Sequence, residues 1–400
     1  MKTVSELGKL TGMGTRPTPA RFLAALARVG VTSYGGPAIV AQLREELVVR
    51  RRWCSEEEFA ESLAFAQLVP GPVVPATAAH AAQRLFGPGM VFPAVLAYAA
   101  PAFFLMLGLS VAYFRWGSLP AVHSAFRALG PVIVAIIASS LLSLAQPALR
   151  DTRGVALAAV LAPFFFLPIN PVLVVLAGAA LGILVMPHQD HHPDAIPTPQ
   201  QRRREGLFWG FAVGCALVSG LALASWYHPA LARLGVEVAQ VALLAFGGGY
   251  TAVALMFHAF VVSQPPILSP KEFVDGLALG QLTPGPVVIT STFVGYKVAG
   301  LAGAMLATLY TFFPPACLVA TLAPHFARLR QAQVFRKAVR GVLAAFVALL
   351  VRVLAQMAQA ALVPIWAAPL AVGALVLLRL KVPVLALVAA TVVLSLALMP

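Results

Sequence analysis

"AQLVPGPVV" at residues 66–74 returns as "GQLTPGPVV" at residues 280–288. Twelve of the twenty positions from Ser55 to Val74 are identical to those from Ser269 to Val288, and the matched glutamines, Gln67 and Gln281, lie 214 residues apart. Further out, "SYGGPA" (33–38) answers "AFGGGY" (245–250), and Pro101 aligns with Pro315. The chain therefore reads as two related halves, each carrying the same break. Pro70 and Pro284 disfavour helical geometry at the residue before them, Gly71 and Gly285 tolerate any φ, and Pro72 and Pro286 suit the first turn of a new helix. A helix that stops and starts again is expected at both places.

Composition puts these breaks in a membrane. Hydrophobic residues make up 60% of the chain and charged ones 10%, with a mean hydropathy of +0.88; soluble domains run at about half and a quarter. Apolar runs punctuated by Gly, Pro and charge predict about thirteen membrane segments, near 19–43, 57–86, 89–114, 121–146, 154–168, 170–187, 207–227, 236–262, 271–298, 300–325, 335–362, 364–379 and 382–399. The opening "MKTVSELGKL" has no cleavable-signal layout. Cys54, Cys215 and Cys317 lack the paired spacing of a disulfide frame or metal cluster. The net charge of +14 comes from arginines at the ends of apolar runs, which suits membrane topology rather than nucleic acid.

Three other classes are disfavoured by what the residues lack. No Ser/His/Asp set is present, and "GGGY" lacks the Lys-Ser/Thr ending of a P-loop, so neither an enzyme nor ATP hydrolysis is expected. "HQDHH" (188–192) invites a metal reading, but it sits in a polar linker without a second cluster. No metal and no cofactor is expected.

The expected fold is an all-α polytopic membrane protein of two homologous, inverted-topology halves, with about 9 to 13 membrane segments. Residues 1–187 form the N-terminal repeat, 188–235 a linker with a connecting helix, and 236–400 the C-terminal repeat. The single connecting helix starts the second half on the opposite side of the membrane. Charge agrees: "LREELVVRRRW" in the first half is basic, whereas its counterpart "SQPPILSP" has no basic residue. Arg50, Arg51 and Arg52 share the side of Arg202, Arg203 and Arg204 only if the first two segments of each half are re-entrant hairpins, which leaves nine full crossings.

A helix N-terminus carries about half a positive charge and free N–H groups, so it attracts anions. In lipid a broken helix survives only against protein or a wet cavity. Two breaks brought together would make one anion site; the bland alternative is a pair of proline kinks. The candidate binding residues are Gly35, Gly36, Gln67, Pro70, Gly71, Pro72, Gly247, Gly248, Gln281, Thr283, Pro284, Gly285, Pro286 and Lys297. Gln67 and Gln281 either donate an amide N–H to an oxyanion or brace the backbone. Ser55 with Glu58, and Ser269 with Glu272, have capping-box spacing. One turn deeper, Glu61 and Asp275 either take a coupling proton or are wetted interfacial acids. Arg28 and Arg84 are expected to snorkel to head groups, and Arg127 and Arg340 to mark segment ends.

"VTSYGGPA", "RRRWCSEEEFAESLAFAQLVPGP", "FGGGY" and "EFVDGLALGQLTPGPVVITSTFVGYKVAG" resemble the signature segments of the chromate transporter family, whose long members are two fused homologous halves. The resemblance implies export of chromate across the cytoplasmic (inner) membrane of a bacterium, coupled to protons or the membrane potential, with sulfate as the look-alike anion. The chain departs from the family pattern after the first break, with Pro75-Ala76-Thr77 where Ser-Ser-Gln is common. A transporter or channel for another inorganic anion such as sulfate stays open, as does a homodimer.

Overall fold

The computed structural model describes residues 17–34, 36–117, 119–187, 200–326 and 332–398. Gly35, the "HQDHH" run and Arg328 with Arg330 lie outside the described residues. What is described is helical throughout. The first half comprises α1 (Pro19–Thr32), α2 (Gly36–Arg44), α3 (Glu56–Leu68), α4 (Val73–Phe86), α5 (Val91–Trp116), α6 (Pro120–Ala148), α7 (Thr152–Leu161) and α8 (Pro171–Val185). α9 (Gln200–Tyr227) connects it to α10 (Pro229–Leu244), α11 (Gly249–Phe257), α12 (Pro270–Leu282), α13 (Thr290–Leu322), α14 (Gln333–Ala361), α15 (Ala367–Arg379) and α16 (Val384–Leu398). α13 breaks at Ala299 and Gly300, so among the described residues eight α-helical pieces stand on each side of α9. α10 starts at Pro229, inside the stretch that the sequence pattern assigns to the linker.

Both expected capping boxes form. Ser55 accepts from the Glu58 amide while Glu58 accepts from the Ser55 amide, and Ser269 and Glu272 do the same. From there α3 and α4 fold back on each other. His80 Nδ1 lies 2.9 Å from Ser62 Oγ, and Arg84 pairs with Glu58 and Glu61. The feet of this hairpin are thus together, and its tip is Gly71. The second half repeats the device: Lys297 bonds Glu272 at 2.7 Å, and a Cβ on Gly276 would strike the Phe293 ring, which centres the turn on Gly285. The hairpin preceding each of these ends in a π-helical turn, Glu45–Arg50 in one half and His258–Val262 in the other. Each turn is followed by one carbonyl taking two amides: Leu47 O from Trp53 and Cys54, Phe260 O from Ile267 and Leu268.

The two hairpins enter from opposite faces. α5 starts at the foot of the first and ends where Tyr113 donates to Asp275 at 2.8 Å and Phe114 stacks on Tyr296, at the foot of the second. The α13 segment after Gly300 starts at the second foot and ends where Gln83 Nε2 donates to Ala320 O at 3.1 Å and Phe326 meets Phe65, beside the first. Inverted topology therefore follows from packing as well as from charge.

Five helices among the described residues are long and apolar enough to cross a bilayer, within Pro88–Trp116, Val122–Ala148, Arg204–Trp226, Val287–His325 and Gln333–Ala361. That is two per half and the connector, fewer than the nine crossings expected. The difference lies in α7, α8, α15 and α16, helices of 10 to 15 residues that reach at most about 22 Å at 1.5 Å per residue, short of an apolar core of about 30 Å. They lock the halves together by exchange. α6 packs on α15 and α16, and α14 packs on α7 and α8. At Gly178, Gly182 and Gly341 the backbones meet: a Cβ on Gly182 would lie 2.7 Å from Gly341 Cα, the close approach that small residues permit between membrane helices.

Candidate functional site

The tip of each broken hairpin is seated against the other half. Gly71 N–H donates to Ala245 O at 2.9 Å, and Gly285 N–H donates to Ser33 O at 2.7 Å. Ala245 and Ser33 open the matched "AFGGGY" and "SYGGPA" segments, so the bonds are a symmetric pair. Both glycines sit at positive φ, +113° and +103°, where a side chain is strained. Pro70, Pro72, Pro284 and Pro286 are buried around them. The tips seat at the aligned mid-helix prolines: a Cβ on Gly71 would fall 2.7 Å from Pro315 Cβ, and one on Gly285 would fall 3.2 Å from Ala102 Cβ, next to Pro101.

These bonds use the glycine amides and leave the helix N-termini free. In α4 the first amide to bond back is Ala76, to Pro72 O at 3.2 Å, so the amides of Val73 and Val74 belong to the unpaired first turn. α11 begins in the same region behind Gly247 and Gly248, at φ +85° and +114°. A Cβ on Gly248 would meet nothing within 4 Å, whereas one on Gly249 would meet Val287 at 2.7 Å, so the N-terminus of α11 has free space on the Gly248 side and packs against Val287 on the other. The Tyr250 hydroxyl there is faced by Ser140 and Gln281. Among the described residues the buried Gln281 amide nitrogen makes no hydrogen bond of good geometry, the Tyr250 hydroxyl facing it only loosely, the arrangement that a hydrogen-bond-accepting ligand would complete.

The sequence-derived candidates divide accordingly. Gly71, Gly285, Gly247, Gly248 and Gln281 lie at or beside the tips, and Gly36 is the first residue of α2. Gln67 is exposed, unlike its repeat partner. Thr283 is buried, but its hydroxyl is spent on Leu279 O at 2.8 Å. Lys297 is held at the hairpin foot by Glu272 and lies 5.3 Å over the Phe114 ring, so its charge is matched away from the tips. Arg84 is likewise engaged by Glu58 and Glu61, Arg28 and Arg127 are exposed, and Arg340 bonds Asp151 at 2.6 Å.

The two acids one turn deeper differ sharply. Glu61 is part of a half-buried pair with Arg84. Asp275 is 2% exposed and receives both Tyr113 Oη at 2.8 Å and Lys271 Nζ at 3.0 Å. Beneath Gly71 and Pro72 lies a small cavity that also touches Ser291 and Thr311.

Tyr113, Tyr250, Ser140, Arg352 and His258 were not singled out by sequence pattern. Only Arg352 had a signal there, as the one charge in the apolar run 341–361.

Residues 20–183 and 232–396 match the family described as Chromate transporter, one copy per half. The chain belongs to the chromate transporter family. A chromate transport protein of Cupriavidus metallidurans is 30% identical over 88% of this chain and 85% of its own length. An uncharacterized transporter of Methanocaldococcus jannaschii is 31% identical over 88% of both chains, and a chromate transport protein of Pseudomonas aeruginosa is 29% identical over 74% of this chain and 69% of its own. No solved structure matches it.

Proposed function

We propose that this chain is a secondary transporter that carries chromate, or a sulfate-like tetrahedral oxyanion, out of the cytoplasm across the inner membrane, and that the anion binds at the hairpin tips. The observation that carries the reading is the buried Gln281 amide nitrogen, without a hydrogen bond of good geometry among the described residues, beside the N-terminus of α11. An oxyanion there accepts from Gln281, from the Tyr250 hydroxyl and from free first-turn amides, in a setting where the helix dipoles favour negative charge. Parting each tip from the opposite half, from one face and then the other, by rocking the exchanged helix pairs, gives alternating access. Asp275 takes the coupling proton: it is buried, carries two donors when ionised, and sits at the junction of α5 with the second hairpin, which must move.

The test is flux of radiolabelled chromate into inside-out proteoliposomes, with and without a proton gradient, with sulfate as competitor. Gln281→Leu removes a buried donor that makes no hydrogen bond of good geometry, so a purely structural role predicts a fold as stable as the parent or more so. The transport reading predicts loss of about tenfold or more in chromate flux, one lost charge-assisted hydrogen bond being about 1.5–3 kcal/mol. Full flux from Gln281→Leu excludes this glutamine from the site. If a folded parent protein moves neither chromate nor sulfate, the substrate class is wrong.

A further inference from the structure

Arg352 lies within the apolar helix α14 and has no counter-ion among the described residues. It lies twelve residues beyond Arg340, about 18 Å along α14, and nine residues before Ala361, about 13 Å. Among the described residues no carboxylate pairs with it. Its neighbours are the Phe166 ring, 5.7 Å from its guanidinium carbon at the end of the α7 segment, and His258, close enough to feel its charge. Arg352 is half-buried, and Phe166 beside it is exposed; a charge within an apolar helix is disfavoured and is kept where it serves an ion path. The fold itself does not demand it, because α6 and α14 are both 29 residues long and the corresponding place in α6, nineteen residues from its start, holds Ser139.

Its position relative to the tips is readable. A Cβ on Gly247 would touch Leu343, so the tip level on α14 is Leu343, and Arg352 lies nine residues further along. α11 packs against α14, and His258 lies nine residues beyond Gly249, where α11 starts. Both nine-residue steps are about 13 Å, and both lead from the tips away from the Arg340 end of α14. We propose that Arg352 is a second station for the transported dianion, about 13 Å from the tips toward the face opposite Arg340, where the guanidinium fork grips two oxygens of a tetrahedral oxyanion. This rests on the oxyanion reading above and adds a site that reading does not require.

The experiment compares Arg352→Lys, Arg352→Gln and Arg352→Cys in proteoliposomes, with chromate as the probe. Arg352→Gln should raise the KM for chromate about tenfold, with kcat changed less, as loss of one charge-assisted contact predicts, and Arg352→Lys should keep part of the affinity. Arg352→Cys should recover on attachment of an aminoethyl thiol group, which restores the cation, and not on attachment of a sulfonatoethyl group. Gel filtration of each purified variant checks the fold, and a misfolded Gln variant is replaced by the Cys pair, whose two labelled forms differ only in charge. Parental KM in Arg352→Gln, or equal flux from the two labelled forms, overturns the second station while leaving the tip site standing. A folded parent that moves neither chromate nor sulfate overturns both, and is distinguishable because it appears before any variant is made.

Discussion

Adding one methyl group at each hairpin tip should separate two contributions that the symmetric sequence hides. Gly71→Ala and Gly285→Ala both place a Cβ at positive φ, a strain of about 1–3 kcal/mol. They differ in what the Cβ meets. At Gly71 it would lie 2.7 and 2.8 Å from two Pro315 ring carbons, an overlap that adds about 1–3 kcal/mol because a packed proline ring has nowhere to turn. At Gly285 the nearest atom is Ala102 Cβ at 3.2 Å, which a small shift relieves. Gly71→Ala should therefore cost about 2–6 kcal/mol and Gly285→Ala about 1–3 kcal/mol. The N–H groups that bond Ala245 O and Ser33 O are retained in both. Denaturation in mixed micelles by increasing SDS fraction measures the difference, and Pro315→Gly, which removes both ring carbons that the new methyl meets, should recover the overlap part in Gly71→Ala while doing nothing for Gly285→Ala. Equal costs at the two tips, or no rescue by Pro315→Gly, would refute the reasoning. Pro72→Ala and Pro286→Ala, at φ −71° and −77°, leave a conformation any residue adopts and should be milder than either glycine change.

Two more outcomes follow from the faces and the acids. Single cysteines at Arg51 and Arg204 should be labelled from the cytoplasmic side and one at Gln264 from the other; labelling Arg51 and Gln264 from one side would defeat the opposed hairpins. Tyr113→Phe should cost about 1.5–3 kcal/mol, since it removes a hydrogen bond to a buried carboxylate, and Asp275→Asn should leave a folded protein whose chromate flux no longer responds to a proton gradient; an unchanged gradient response would remove Asp275 from coupling.

Local chemistry made the breaks legible. Pro-Gly-Pro dictates a stop and a start whatever surrounds it, and Ser-x-x-Glu dictates a cap, so both were found at the residues predicted. What the tips touch was not legible, because Gly71 with Ala245 and Gly285 with Ser33 are contacts between halves, and no local spacing encodes them. Lys297 illustrates the same limit: on the sequence it is a cation on the helix that Pro286 starts, and only the antiparallel return of the hairpin brings Glu272 beside it. The apolar runs 154–168 and 170–187 were legible as membrane segments, but their division into shorter apolar helices was not. Pro171 starts a new helix after a short 3-10 turn. Arg352 was visible, but its meaning depends on the absence of a nearby carboxylate, which needs the packing.

The repeat is symmetric in backbone and asymmetric in charge, and the asymmetry bears on mechanism. The tip bonds, the capping boxes, the π turns and the exchanged helix pairs occur in both halves. The polar side chains do not follow. Gln281 is half-buried with its amide nitrogen out of solvent while Gln67 is exposed, Asp275 is sealed under Tyr113 while Glu61 shares Arg84 with Glu58, and Arg352 stands where α6 has Ser139. Each of these differences gives the second half the group better suited to hold an anion or a proton. A symmetric scaffold has no kinetic preference between the two directions, so any such preference must come from these differences, and here all three lie along α12 and α14. Moving the charge set to the first half, for example as Ser139→Arg with Arg352→Ser, should therefore alter the flux asymmetry between inside-out and right-side-out vesicles. If direction is set by the gradient alone, the swapped protein keeps the parental ratio.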